Sequence, residues 1–295
     1  MDIVWLPDAT TKPRRLAVGE FDGVHIGHRE VIRDADAVLT FEPHPRTVVA
    51  PASAPKLLTT LEQKADLIAA LGIEELIVIP FDGSFAAQTA QEFIDHVLVE
   101  HLDARHVSVG ENFRFGNKAR GDAALLAAQD AFETRIAELV ELDGEIVSST
   151  HIRGLIATGQ VDDAARALGA PFGMRGSVAH GDKRGRTLGF PTANLVPDPR
   201  LAVPDHGIYA CRAILPGMGE FTAAVSIGVR PTFVTGRGLL VEAFLLDFDE
   251  DIYGRELRLD FIQRLRGEKR FDSVDALVEQ MHRDVEQTRA IIAAA

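Results

Sequence analysis

The sequence predicts an α/β half with a parallel sheet, followed by a small antiparallel β-barrel with one terminal helix. Over the first half, short apolar runs alternate with amphipathic segments, which is typical of strands and helices in a parallel sheet. From about Pro171 onward, strand-like runs follow one another without intervening helices, which indicates a barrel. The chain of 295 residues is long enough for two cores, and we place the domains at 1–170 and 171–295.

Within the first half, two helices have readable starts. The candidate strands are 16–19, 37–41, 75–80, 105–110 and 136–142. Thr60 and Gln63 form a capping box that predicts a helix ending at Gly72, and Thr89 with Glu92 repeats the signal. The apolar stripe of the first helix consists of Leu61, Ala65, Ile68 and Leu71. Both helices should pack on the sheet.

In the second half, the candidate strands are 176–180, 208–215, 221–227, 239–248 and 256–264. Alternation is clearest in the last of these, where Leu257, Leu259 and Phe261 share one face. An amphipathic helix should begin near Ser273 and close the barrel.

The segment 19–28 has the composition of a strand end, a tight turn and a helix start. Gly19 and Gly23 permit close approaches, and Asp22 before Gly23 favours a sharp turn. His25 and His28 should lie on one side of the first helical turn, where the backbone dipole favours an anion. We therefore expect a phosphate site here. The alternative is a plain turn with two surface histidines.

A second helix start, 148–153, has similar chemistry. Ser148, Ser149 and Thr150 can cap the free N–H groups of a helix. Arg153 follows Ser149 by four residues, so it lies one turn along the same face and can neutralise a phosphate. The alternative is a well-capped helix without a ligand.

The barrel half contains a glycine-rich basic segment, 181–194. Three of its positions are cations, and Thr192 with Asn194 offers two neutral oxygens for Mg²⁺ beside ATP. The spacing is not that of a Walker A loop, so a surface hairpin is the alternative for the basic part. Glu242 is a candidate general base, because period two places it with Leu240 and Phe244 on an apolar strand face. Otherwise it reaches only the rim of that face.

Composition narrows the possible partners. The net charge of −13 argues against a nucleic-acid or anionic-membrane binder. Cys211 is the single cysteine, which excludes an internal disulfide and fits a reducing cytoplasm. We see neither a leader segment nor an apolar run of membrane-spanning length, so we expect a cytoplasmic protein that acts on small molecules.

Seven motifs in order give the chain its resemblance to the bacterial bifunctional riboflavin kinases/FAD synthetases. They are Gly19-x-Phe21-Asp22-Gly23-x-His25-x-Gly27-His28, Thr40-Phe41-Glu42-Pro43-His44-Pro45, Gly110-Glu111-Asn112-Phe113-x-Phe115-Gly116, Ser148-Ser149-Thr150-x-x-Arg153, Gly185-Arg186-x-x-Gly189-Phe190-Pro191-Thr192-Ala193-Asn194, Gly228-x-Arg230-Pro231-Thr232 and Leu265-Arg266-x-Glu268-x-x-Phe271. The resemblance covers nearly the whole chain. It implies a Rossmann-like nucleotidyltransferase domain followed by a riboflavin kinase barrel.

In the barrel, the resemblance implies transfer of phosphate from ATP to the ribityl 5′-hydroxyl of riboflavin. Glu242 would take the proton, and Thr192 and Asn194 would hold Mg²⁺ and the nucleotide phosphates. Arg266 and Phe271 would flank the flavin ring. The implied phosphate contacts in the loop over the nucleotide are Gly181, Lys183, Gly185 and Arg186.

In the α/β half, the resemblance implies attack of the FMN phosphate on the α-phosphorus of a second ATP, which yields FAD and pyrophosphate. His25 and His28 would stabilise charge on the ATP phosphates, and Ser149 and Arg153 would hold the pyrophosphate. The remaining implied phosphate contacts are Gly19, Phe21, Asp22, Gly23, Gly27, Ser148 and Thr150. The implied flavin contacts are His44, Asn112 and Phe113.

Three features of the sequence depart from the family pattern: the length of one segment and the residue types at two positions. Only eleven residues separate His28 from Thr40, so the helix after the histidines must be unusually short. Ser226 replaces a common asparagine, and His151 replaces a usual basic residue; we expect both changes to be tolerated.

Three other functions stay open at this point. The short helix favours a kinase whose α/β half is degenerate. A flavin carrier without chemistry leaves Glu242 without a task. A nucleotidyltransferase for another phosphorylated substrate leaves the barrel and its Thr192-x-Asn194 motif unexplained.

Overall fold

A computed structural model describes residues 1–180, 189–230 and 238–295. Its internal contacts divide the chain into two units, Met1–Ser149 and Thr150–Ala295. The division lies before residue 170, because the helix Val161–Leu168 packs against two of the barrel strands. The domain boundary at 170 stays a prediction.

The first unit is built on a six-stranded parallel sheet with the order β1-β4-β3-β2-β5-β8. Its strands are β1 (Asp2–Trp5), β2 (Arg14–Val18), β3 (Ala37–Glu42), β4 (Glu75–Pro80), β5 (Ala104–Gly110) and β8 (Glu133–Ala137). Two small hairpins pair β6 (Arg114–Phe115) with β7 (Gly121–Asp122) and β9 (Glu141–Leu142) with β10 (Glu145–Ile146). The predicted α/β class is confirmed.

Helices cover both faces of this sheet. They are α1 (Ile26–Ile32), α2 (Pro45–Val49), α3 (Leu61–Ala69), α4 (Gly83–Ala86), α5 (Ala90–Glu92), a π-helix (Phe93–His101) and α6 (Ala123–Ala127). Short 3₁₀ turns lie at Leu6–Asp8, Pro51–Ser53 and Asn117–Ala119. The residues 76–79 of β4 are fully buried, and separate apolar clusters lie on the two sides of the sheet. A central strand buried on both faces is what a parallel sheet requires.

Several local predictions for this unit are confirmed. Both capping boxes are present, and Gly72, three residues after the end of the first helix, has a φ of +85°. The helix α1 is only seven residues long, as the short interval after His28 predicts.

One strand of this unit was not predicted, and two predictions are wrong in detail. The residues 2–5 were not predicted as a strand but pair with β4, and the last sheet strand is 133–137 rather than 136–142. Leu71 is 38% exposed, because α3 ends at Ala69 and leaves Leu71 beyond its last turn. The apolar run after 137 turns instead into the β9–β10 hairpin.

One buried ion pair joins the starts of β2 and β4. Nε of Arg14 lies 2.7 Å from Oε2 of Glu75, and Nη2 lies 3.2 Å from Oε1. Nη1 of Arg14 also donates to the carbonyl of Leu102 at 3.0 Å. Both charged groups are buried. The hydrogen bond from Arg14 is the main reason that the pKa of Glu75 lies below its usual range.

The second unit contains a closed six-stranded barrel with the order β11-β12-β15-β14-β13-β16, in which all pairs are antiparallel. Its strands are β11 (Phe172–Ala179), β12 (Ala193–Pro197), β13 (Gly207–Leu215), β14 (Gly219–Arg230), β15 (Gly238–Leu245) and β16 (Glu256–Arg266). Its helices are α7 (Ser149–Ala157), α8 (Val161–Leu168) and α9 (Val274–Ala294). The predicted barrel with a terminal helix is confirmed.

The barrel interior follows the predicted alternation. Leu257, Leu259 and Phe261 are fully buried, and Ser273 caps α9 through the N–H of Ala276. Cys211 is also fully buried, and burial raises the pKa of its thiol well above the usual value. The strand β12 was not predicted, because its apolar run is short and begins inside the predicted phosphate segment.

Among the described residues, no helix combines the length and the hydropathy that a membrane span requires.

Two candidate active sites

The loop between β2 and α1 has a strained backbone that buried side chains hold in place. Phe21 and Val24 have φ values of +51° and +43°, and Gly23 has a φ of +86°. Non-glycine residues seldom adopt such values, and they persist where the surroundings fix them. Phe21 and Val24 are each 1% exposed, so the core holds both of them. The loop is therefore preset rather than adaptable.

Asp22 fixes the centre of this loop. Its Oδ1 accepts hydrogen bonds from the N–H groups of Leu58 and Thr59 at 2.9 and 3.0 Å. The hydroxyl of Thr59 in turn accepts from the N–H of Gly23 at 3.1 Å, and Ser149 Oγ donates to the carbonyl of Asp22 at 2.9 Å. These contacts give the Asp22 carboxylate a role in shaping the loop. Its implied contact with phosphate stays a prediction.

The two histidines of the loop lie together, as the sequence predicts. The rings of His25 and His28 are stacked with centroids 3.5 Å apart, and His25 Nδ1 accepts from the N–H of His28 at 3.2 Å. The ring of Phe21 meets His28 edge-on at 5.3 Å. The hydrogen bond from the N–H of His28 to Nδ1 therefore fixes the orientation of the His25 ring.

Two glycines, Gly19 and Gly27, lie close beside these rings. A Cβ at Gly19 would lie 3.0 Å from the ring of Phe21, and a Cβ at Gly27 would lie 3.2 Å from Cε1 of His25. Both distances are tighter than ordinary contacts. The glycines of the motif therefore make room for the rings, in addition to any contact with phosphate.

A cavity of about 690 Å³ opens beside the loop, at the carboxyl ends of β2, β3 and β5. Ligands of open α/β sheets bind at this edge, and the volume suits a large aromatic ligand. Gly19, Phe21 and His28 form part of its wall. Six further phenylalanines line it: Phe41, Phe81, Phe85, Phe93, Phe113 and Phe115. The polar groups of its lining include Glu20, Arg46, Gln88, Asn112, Arg114 and Lys118.

The structure brings two of the three predicted flavin residues of this half into the cavity wall. Asn112 and Phe113 line the cavity. His44 does not line the cavity. Its Nε2 lies 3.7 Å from a carboxylate oxygen of Glu20, and Glu20 does line the cavity. Most of the aromatic wall was not predicted from the sequence. The sequence feature that could have indicated this wall is the pair Phe81 and Phe85, which directly follows β4.

The serine-rich helix start divides between the two units. Ser149 belongs to the first unit and contacts the loop through Asp22. Thr150 and Arg153 belong to the second unit, on α7. The roles predicted for Ser148, Thr150 and Arg153 at the phosphates stay predictions.

In the barrel, the predicted polar residues are brought together across neighbouring strands. Glu242 on β15 is in register with Asn194 on β12 and with Ser226 on β14. The hydroxyl of Thr192 donates to Oε1 of Glu242 at 3.3 Å. Strand register and the contact from Thr192 therefore bring these polar residues together.

The predicted environment of Glu242 is wrong. The buried face of β15 consists of Val241, Ala243 and Leu245, because the closed barrel takes the odd-numbered side chains into its interior. Glu242 lies half-buried on the opposite face with Phe244. The alternative, that Glu242 reaches a rim, describes it better, and a carboxylate at a rim can meet a substrate hydroxyl.

The chemistry of Thr192 and Asn194 fits a divalent cation. Oδ1 of Asn194 is buried and has no hydrogen-bond partner among the described residues. A buried carbonyl oxygen without a donor costs about 1–3 kcal/mol, and a cation would satisfy it. Both side chains line a cavity of about 240 Å³. Neutral oxygens are suitable ligands for Mg²⁺ when ATP oxygens and water complete the shell.

At the end of β16, Arg266 is held by α9. Its Nε and Nη2 lie 3.0 and 2.6 Å from the two oxygens of Asp284, and Gln280 also donates to Asp284 at 2.9 Å. The guanidinium carbon of Arg266 lies 5.8 Å from the centroid of the Phe271 ring. The two predicted flavin residues of the barrel are therefore neighbours, on one preset platform.

Four predicted phosphate contacts lie outside the described residues. They are Gly181, Lys183, Gly185 and Arg186. The same is true of Pro231 and Thr232 in the sixth motif.

The first unit is an α/β domain with a loop and an aromatic cavity at the carboxyl edge of its sheet. The second is a β-barrel domain with a carboxylate near two neutral side-chain oxygens. These features are those of a two-domain transferase. Family models match both halves, an FAD synthetase model over residues 8–151 and a riboflavin kinase model over residues 168–292.

Curated relatives match along nearly the whole chain. A bifunctional riboflavin kinase/FMN adenylyltransferase of Listeria monocytogenes is 38% identical, over 94% of this chain and 92% of its own length. One of Escherichia coli K12 is 38% identical, over 91% and 90%. This chain belongs to the bifunctional riboflavin kinase/FMN adenylyltransferase family.

Among solved structures, a protein of Streptococcus pneumoniae described as a macrolide-efflux protein has the same fold. Its TM-score is 0.89 at 33% identity, and the match covers 97% of this chain and 98% of that one. The family and the transferase class predicted from the motifs are confirmed.

Proposed function

We propose that this chain phosphorylates riboflavin to FMN in its barrel and adenylylates FMN to FAD in its α/β half. The observation that supports the proposal most is that one chain contains a histidine pair beside an aromatic cavity and, in its barrel, a carboxylate that accepts a hydrogen bond from Thr192. The family models on the two halves and the full-length bifunctional relatives support the same pair of reactions.

In the kinase reaction, the ribityl 5′-hydroxyl of riboflavin attacks the γ-phosphorus of ATP. The carboxylate of Glu242 accepts the hydroxyl proton as the new O–P bond forms, and ADP leaves. The hydroxyl of Thr192, which donates to Glu242, orients the carboxylate. Phosphoryl transfer depends mainly on such positioning and on charge neutralisation. Arg266 and Phe271 hold the flavin ring.

We assign Mg²⁺ to Thr192 and Asn194. The buried oxygen of Asn194 without a partner among the described residues supports this assignment. When bound, the cation neutralises charge on the phosphate oxygens of ATP. Thr192 and Asn194 determine where the cation is held.

In the adenylylation, a phosphate oxygen of FMN attacks the α-phosphorus of ATP, and pyrophosphate leaves. No covalent enzyme intermediate forms. His28 lines the cavity, and its stacked partner His25 sets its orientation, so the pair stabilises negative charge that develops on the phosphates. Asn112, Phe113 and the aromatic wall hold the flavin. Ser149 and Arg153 hold the departing pyrophosphate.

The short helix α1 favours a second candidate, a kinase with a degenerate α/β half. Against it, the loop that α1 follows is fully formed, and the adjoining cavity has the size of a flavin site. A carrier without chemistry would not need Glu242 beside Thr192. A nucleotidyltransferase for another substrate would not need the barrel site.

We place both reactions in the cytoplasm, on the basis of the sequence composition and the single buried cysteine.

The test is to incubate the purified chain with riboflavin, ATP and Mg²⁺ and to follow FMN and FAD by chromatography. We expect FMN first and FAD after it. FMN without FAD would favour the kinase-only candidate, and no product would overturn the proposal.

A further inference from the structure

The buried ammonium group of Lys64 lies beneath the loop of the adenylylation site. Lys64 is on the first turn of α3 and is 5% exposed. Its position is fixed locally, because its N–H donates to the carbonyl of Thr60 at 2.9 Å beside the Thr60–Gln63 capping box. Removing an ammonium from water costs several kcal/mol unless it is well paired. A lysine at this position therefore needs a compensating task.

A two-step chain of hydrogen bonds links Lys64 to the loop. Nζ of Lys64 donates to Oγ1 of Thr40 at 3.2 Å, and that hydroxyl donates to the carbonyl of Glu20 at 3.1 Å. Thr40 is fully buried near the end of β3. Glu20 immediately precedes Phe21, the first strained residue of the loop. The ammonium group thus fixes the direction of the Thr40 hydroxyl, and the hydroxyl fixes the Glu20 carbonyl.

The charged groups around Lys64 also indicate a role at this loop. The pKa of Lys64 lies below its usual value, because desolvation by burial outweighs the carboxylates of Glu20, Asp22 and Glu42, which act to raise it. Three carboxylates close to a loop that binds ATP would repel the nucleotide. The protonated form of Lys64, held among them, offsets this repulsion.

We propose that Lys64 is a positioning residue for the adenylylation site, and that it holds the loop carrying His25 and His28 through the Thr40 hydroxyl. This inference rests on the function proposed above for the α/β half. Lys64 touches neither substrate; it acts by keeping the loop in its strained form. Displacement of catalytic groups by about 1 Å can cost a hundredfold in rate, so the effect of losing Lys64 should be large.

The experiment uses the full chain with the substitutions Lys64→Met, Thr40→Val and Thr40→Ser. Lys12→Met is the matched control, because Lys12 is an exposed lysine of the same unit that pairs with Glu75. FAD formation from supplied FMN and FMN formation from riboflavin are measured on each preparation. The imidazole resonances of His25 and His28, assigned with alanine variants, report the loop position without catalysis.

We expect Lys64→Met to lower kcat for FAD formation about 10²-fold, with KM for FMN within about twofold and the kinase unchanged. Thr40→Val should lower kcat about tenfold, Thr40→Ser should restore it, and Lys12→Met should have no effect. The imidazole resonances should shift in Lys64→Met and Thr40→Val only.

Equal FAD formation by Thr40→Val and Thr40→Ser would overturn the proposal, because the relay needs the hydroxyl that only serine retains. Loss of both activities in Lys64→Met with unshifted imidazole resonances in Thr40→Val would also overturn it, since Lys64 would then serve stability alone. A wild-type chain that makes no FAD would instead refute the proposed function, while the resonances still decide the role of Lys64.

Discussion

The α/β half and the barrel build their sites in different ways. In the α/β half, one short loop supplies the histidine pair, and buried groups such as Asp22 and Lys64 hold that loop from behind. In the barrel, Glu242 and Asn194 come from different strands and meet only because the strands are in register. The difference shows two routes to a preset site: local backbone strain with buried supports, and long-range strand pairing.

The comparison has a practical consequence for experiments on this chain. Each half has its own site residues, so each activity serves as an internal control for the other. A substitution in one half therefore tests whether the two sites act independently.

Glu242→Gln should have the largest effect. Loss of the general base should lower kcat for riboflavin phosphorylation about 10³-fold, because general base catalysis contributes on this scale. FAD formation from supplied FMN should be unchanged. Both steps are followed by chromatography, and Glu279→Gln on the exposed face of α9 is the control. A fall in both activities would contradict the independence of the two sites.

His28→Ala should have the opposite pattern with a smaller loss. Removal of a group that stabilises charge on the phosphates should lower FAD formation about 10²-fold. Riboflavin phosphorylation should continue at the wild-type rate. His96→Ala, at an exposed histidine of the same unit, is the control. Unchanged FAD formation would remove the histidine pair from the mechanism.

Arg14→Met tests the support of the α/β half rather than its chemistry. Breaking a buried ion pair leaves an uncompensated charge, so the free energy of unfolding should fall by about 3 kcal/mol. Trp5 is the single tryptophan and lies on β1, so its fluorescence during urea unfolding reports this unit. Arg283→Met, which breaks the exposed pair with Glu279, should change little.

The same ion pair predicts a pH dependence. The pKa of Glu75 is lowered in the folded state, mainly by its hydrogen bond from Arg14. Its contribution to stability is therefore complete above the unfolded pKa of about 4.3 and is lost as the pH falls through the folded value. The stability difference between wild type and Glu75→Gln should shrink in that acidic range. A constant difference between pH 7 and pH 3 would contradict this assignment.

Removal of a helix cap should have the smallest effect. Thr60→Ala should destabilise the α/β half by about 1 kcal/mol, because the N–H of Gln63 loses its acceptor. Since α3 carries Lys64, FAD formation should also fall modestly. Ser273→Ala removes the corresponding cap of α9. It should affect neither FAD formation nor the urea unfolding that Trp5 fluorescence reports. Equal effects on FAD formation would argue against a specific role for α3.

Local chemistry accounts for what the sequence could predict. Both capping boxes and the stop at Gly72 depend on residues within a few positions of each other, and all three are present. The same holds for the contact between His25 and His28, whose spacing of three places them on one helical turn.

The errors arose where distant pairing decides. The apolar run of β1 was too short to recognise alone and becomes a strand because β4 offers it a free edge. Alternation along β15 could not show which face the closed barrel would bury, so Glu242 was placed on the wrong one. The aromatic wall of the cavity was missed because its phenylalanines come from several separate segments. Lys64 was missed because a lysine on a helix is usually exposed.

The burial of Cys211 gives the barrel a built-in reporter. Its thiol lies among the fully buried side chains of β13, and its raised pKa keeps it protonated and therefore unreactive. A thiol reagent can modify it only when the barrel opens. Because the sequence has no second cysteine, the rate of this labelling measures how often the barrel opens, without an engineered probe.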